Sequence, residues 1–70
     1  MIPMVTIRGR QKGYNGFAIY FEQDQRNRIV FDCWLPVAQI EEITRSSENS
    51  DIVIKIPAVL AEMKKLEVAA

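Results

Sequence analysis

Apolar and polar residues alternate over several short stretches of this chain, and a period of two predicts strands. In residues 17–22, Phe17, Ile19 and Phe21 face one way, and Ala18, Tyr20 and Glu22 the other. In residues 28–35, Ile29, Phe31, Cys33 and Leu35 oppose Arg28, Val30, Asp32 and Trp34. The five polar residues 23–27 between them suit a hairpin. The β-branched run 5–8 predicts a first strand, which Pro3 assigns to a sheet edge or starts late. Pro36 removes a ladder donor and ends the third strand, and residues 36–39 then form a tight or single helical turn.

Residues 40–45 read two ways. A helix would continue from Pro36 with Val37, Ile40 and Ile43 on one side. A strand would pair with the alternating run 51–56 across the Ser- and Asn-rich loop 46–50, and that hairpin signature favours the strand. Pro57 suits the first position of a helix. Val59, Leu60, Met63 and Leu66 then share about a third of the helical circumference, with Lys64 and Lys65 late in the helix. The prediction is an α+β domain with about five short strands and a C-terminal helix. Its antiparallel sheet is strongly curled, as in an SH3-like or OB-like small barrel.

Seventy residues make one domain, 1–70. Apolar residues are 49% of the chain, enough for a small core that a homodimer would help to stabilise. The net charge is zero, which weakens non-specific attraction to nucleic acid. The halves differ: residues 1–30 carry five cations and two anions, and residues 31–70 four cations and seven anions. The single cysteine, Cys33, excludes an internal disulfide and fits a reducing compartment. No apolar run is long enough to span a membrane, and the N-terminus lacks the order of a secretion signal. The expected location is the cytosol, that of the host cell if the protein is viral.

The glycines at 9, 13 and 16 raise the question of a phosphate-binding loop. Such a loop needs Gly-Lys-Ser/Thr followed by a helix, whereas here a strand follows, so the stretch reads as a turn centred on Asn15-Gly16. It carries Arg8, Arg10 and Lys12, which can meet an anion without catalysis. No histidine is present to act as a base near neutral pH. Cys33 lies on an apolar strand face, and the adjacent Glu41 and Glu42 point to opposite faces of a strand. No metal-ligand spacing is present. The chain therefore reads as a non-enzyme with no catalytic residue, metal or cofactor.

The candidate site is the second face of the central strands. Alternation places Tyr20, Arg28 and Trp34 there, with Arg8, Arg10 and Lys12 at its margin. Aromatics beside arginines either stack unpaired bases or form a protein-binding hot spot. In the plain structural alternative, Trp34 packs under the C-terminal helix. Asp32 and Glu22 on the same face repel phosphate and tilt the reading toward a protein partner.

Trp34, Leu35, Pro36 and Ile40, followed by Ile56, Pro57, Leu60 and Ala61, form a pattern that resembles a group of small phage and prophage proteins. These have a strand ending in Trp-Leu/Ile-Pro and a later Ile-Pro-x-x-Leu-Ala helix. The resemblance spans about the second half of the chain. Ala38 and Val59 depart from it, standing where Ser and Trp are common. It implies a viral accessory role. The first expectation is a protein that occludes a component of host or viral nucleic-acid-processing or defence machinery. The alternative is a single-stranded nucleic-acid-binding module of phage replication or recombination. A particle subunit packed through its C-terminal helix ranks third.

Overall fold

The computed structural model describes residues 2–26, 28–45 and 51–68. Five strands, β1 (Met4–Tyr14), β2 (Ala18–Asp24), β3 (Val30–Pro36), β4 (Glu42–Arg45) and β5 (Asp51–Pro57), precede one short helix, α1 (Ala58–Met63). They form a single antiparallel sheet in the order β3-β2-β1-β5-β4. Residues 40–45 take the strand option: Glu42–Arg45 pairs with β5, after a 3-10 turn at Val37–Gln39. The predicted loop 46–50 lies outside the described residues.

The first strand is longer than residues 5–8 and takes in most of the glycine stretch. It pairs with β5 from Met4 to Arg10 and with β2 from Arg10 to Tyr14. It therefore passes from one half of the sheet to the other at Arg10, with a bulge between Gln11 and Gly13. Gly9 makes this crossing possible, because a Cβ there would lie 2.5 Å from the Phe21 ring and closer still to the Glu22 carbonyl oxygen. The turn is confined to residues 15–17. Gly16 has a φ of +94°, and the Asn15 Oδ1 accepts the amides of Phe17 and Ala18 at 2.9 and 2.8 Å.

The core is built on Ile7, Phe21, Leu35, Ile54 and Ile56, all fully buried. Each contributes roughly 1.5–3 kcal/mol by leaving water. Phe31 and Cys33 pack against this cluster, as their alternation predicts. Phe17 and Ile29, expected to face inward, do not. Phe17 is 83% exposed because the Asn15 turn draws it out of the strand, and Ile29 lies in the β2–β3 loop before pairing begins.

The helix also differs from expectation. It has six residues, and Pro57 is both the last residue of β5 and the helix cap rather than the first helical position. Only Leu60 and Ala61 of the helix are buried, while Val59 is exposed and Met63 is 72% exposed. Lys64 and Lys65 lie beyond the last turn, where the backbone reverses. Lys65 has a φ of +58°, its amide reaches the Glu62 carbonyl at 3.1 Å, and the Leu66 amide reaches that of Ala61 at 2.9 Å. This is a Schellman cap with lysine where glycine is usual. It turns Leu66 back into the core.

The residues after the cap occupy the gap left where β1 parts from β2. Val68 bridges to Ile7. The buried Gln23 side chain spans the gap, donating to the carbonyls of Arg8 at 3.2 Å and Glu67 at 2.8 Å. Its Oε1 accepts the Glu67 amide at 2.8 Å. Gln25 donates to the Lys65 carbonyl at 2.8 Å, so two glutamines of one strand end fasten the C-terminal segment.

Two substitutions test this architecture. Gly9→Ala should destabilise the fold by about 1–3 kcal/mol in chemical denaturation, because the Phe21 and Glu22 backbone cannot both withdraw. Gly13→Ala, whose Cβ would meet Tyr20 Cβ at an ordinary 3.5 Å, should be nearly neutral. Equal effects would contradict the Gly9 crossing. Lys65→Gly should stabilise by about 0.5–1 kcal/mol, since relief of a left-handed cost of roughly 1–2 kcal/mol outweighs the added flexibility of the unfolded chain. A loss of stability would show that Leu66 is not held by this cap.

Candidate interaction surface

The outward face of β2 and β3 carries the aromatic pair. Tyr20 and Trp34 are direct cross-strand partners, with ring centroids 4.9 Å apart and planes tilted by 32°. That separation is favourable for aromatic contact. Trp34 is 44% exposed, and the helix packs on β1 and β5 rather than over it. The structural alternative, with Trp34 under the helix, is therefore not what the chain adopts. Pro36 and Ala18 form the next pair along the two strands, and Gly13 of β1 lies opposite Tyr20 on the other side. The aromatic pair thus sits among small or apolar neighbours.

One step along the strands lies a charged row. Asp32, Glu22, Arg10 and Asp51 are consecutive cross-strand partners on β3, β2, β1 and β5. Arg10 is committed within it. Its guanidinium donates to Glu22 at 2.6 and 2.9 Å and to both Asp24 oxygens at 3.0 Å. Donation from Arg10 holds the Asp24 carboxyl below its usual range. Lys12 approaches Glu22 at 3.7 Å.

These contacts correct the expected margin of the site. Arg10 and Lys12, like Arg8 of the predicted run 5–8, are strand residues of β1 and not loop residues, and both are neutralised by carboxylates. Arg8 is exposed and forms no ion pair among the described residues. It lines an open cleft of about 430 Å³ with Arg10, Gln23, Asp24, Asp51 and Glu67, a surface of mixed sign. Arg28 is displaced from the aromatic face altogether. It stands in the β2–β3 loop with a φ of +65°, two residues before β3 begins. Its alternation with Trp34 fails because the strand does not extend back to it.

The Asp32 carboxylate near the Tyr20 hydroxyl chiefly raises its pKa above the ordinary 10.0, with burial and other nearby negative charge adding to it. Burial pushes the Cys33 thiol up, so it is protonated near neutral pH. No group of three metal-ligating side chains forms among the described residues, and none of their helices is long and apolar enough to cross a membrane.

Strand alternation did not reveal a second cluster at the β1–β2 turn. Tyr14, Phe17 and Val37 are all exposed there, and the Val37 amide donates to the Phe17 carbonyl at 2.9 Å. The available signal was the Asn15-Gly16 dipeptide, which draws the following residue into the turn. No family model, curated protein or solved structure matches the chain.

The raised Tyr20 pKa stabilises the fold fully below the unfolded value near 10, and this stabilisation is lost as pH rises through the folded value. In a Tyr14→Phe chain, Tyr20 is the sole phenol. Its ultraviolet titration should have a midpoint above 10, and adding Asp32→Asn should lower that midpoint. An unchanged midpoint would exclude the Tyr20–Asp32 contact.

Proposed function

We propose that this protein is a non-catalytic interaction module that uses the Tyr20–Trp34 face to occlude a protein partner. The exposed, stacked pair itself carries the reading. Trp and Tyr anchor protein interfaces because they combine large contact area with few rotatable bonds. In the adjoining row Glu22 is held by Arg10 and Lys12, while the exposed Asp32 stands next to the aromatic pair and favours a partner that presents Lys or Arg to it.

The same row weighs against the single-stranded nucleic-acid alternative. Stacking alone suits bases, but a phosphate chain crossing this face would pass the carboxylates with Arg10 and Lys12 already engaged. Assignment of the partner to host nucleic-acid-processing or defence machinery rests on the phage-type Trp34-Leu35-Pro36 and Ile56-Pro57 pattern. Action in the cytosol is supported by the single cysteine, Cys33, which has no disulfide partner in the chain. The passage of β1 between two half-sheets supports the SH3-like or OB-like barrel reading.

Capture from host lysate, with and without nuclease, tests the proposal. The wild-type chain should retain one nuclease-resistant protein. Trp34→Ala should weaken its binding by about 30-fold or more, the scale of a hot-spot residue. The variant should stay folded, because an exposed aromatic pair contributes only about 0.5–1.5 kcal/mol. A short oligonucleotide at low salt should leave Trp34 fluorescence unchanged. Binding that falls with a log–log salt slope near −0.7 per phosphate would replace the protein reading with the nucleic-acid one.

A further inference from the structure

We propose that the free edge of β3 pairs antiparallel with β3 of a second copy, joining two sheets into one of ten strands. This rests on the edge itself and not on the occlusion reading. Among the described residues nothing pairs with the outer side of β3. An unpaired strand edge presents a row of amides and carbonyls ready for another chain, and proteins usually blunt it.

The two edges of this sheet are treated differently. The β4 edge is four residues long and carries Glu42 and Arg45, with Arg45 donating to Gln11. The β3 edge is seven residues long and reads Val-Phe-Asp-Cys-Trp-Leu-Pro. It has no lysine or arginine, and its only proline is the last residue. The aromatic and β-branched content favours strand pairing.

The chemistry fits a second copy. The chain carries no net charge, so two copies do not repel as wholes. Asp32 is the sole charge on β3. Pairing centred on Cys33 sets Asp32 opposite Trp34 of the second copy and Phe31 opposite Leu35, so like charges never meet. The same register is self-complementary, as a two-fold interface requires. It also covers the half-buried flanks of Phe31 and Cys33 and the exposed Val30.

Surface area sets the strength. The contact is one seven-residue strand edge, a smaller interface than the ~1,200 Å² lower limit of specific, stable ones. The dimer is therefore weak and forms with concentration.

Sedimentation equilibrium and amide hydrogen exchange of the full chain, from about 10 µM to about 1 mM, test this over the range of weak affinities. The mass should rise from one chain toward two. Amides of residues 30–35 should slow by about tenfold or more across that range, while those of 42–45 hold their rate. Val30→Lys, at a position 58% exposed, should stay folded and monomeric throughout. A wild-type monomer at 1 mM would overturn the proposal. So would a dimer with unchanged exchange at 30–35, or a Val30→Lys chain that associates like the wild type.

Discussion

The contact between the Phe21 ring and the bare backbone of Gly9 is the constraint on which this fold depends. It lets one long strand serve two half-sheets, because at the crossing a Cβ on residue 9 would collide with the Phe21 ring and the Glu22 carbonyl. Beyond that point the strands part, and the gap must be filled. Gln23 fills it from β2, and the segment after the helix fills it from the chain end. The cap at Lys65 is what brings that segment back toward the sheet. Glycine, aromatic ring, glutamine and cap are therefore successive consequences of one crossing.

The same crossing arranges the outer face. It puts Arg10 beside both Glu22 and Asp51, so the positive charge that might have drawn a phosphate is already spent within the sheet. Gly13, beyond the bulge, leaves no side chain to crowd Tyr20 from β1. The aromatic pair is left as a compact apolar island bordered by carboxylates. Such an island binds through area and shape, with charge serving to orient the partner.

Much of this was legible in the sequence. Strict alternation placed Ile19, Phe21, Cys33 and Leu35 inward, and Tyr20 and Trp34 outward, because period two leaves little freedom once a strand is set. What alternation cannot give is where a strand stops. Arg28, Ile29 and Phe17 were each assigned by extending a pattern one or two residues past the last ladder pair. The extent of β1 was hidden because glycine and charged residues are poor strand formers taken singly, and only the long-range Phe21 contact explains Gly9. The helix was overestimated because Lys65 adopts a conformation that propensity assigns to glycine. Neutralisation of Arg10 was invisible for the same reason: it depends on residues 12 and 14 positions away.

The position of Trp34 is the most direct point of test, since it is the only tryptophan. Steady-state emission of the free protein, with quenching by iodide and acrylamide, reads its surroundings without any substitution. The account predicts red-shifted emission that both quenchers reduce efficiently, and loss of that access when the partner protein binds. Blue-shifted emission that neither quencher reaches would place the indole in the interior and contradict the proposed surface.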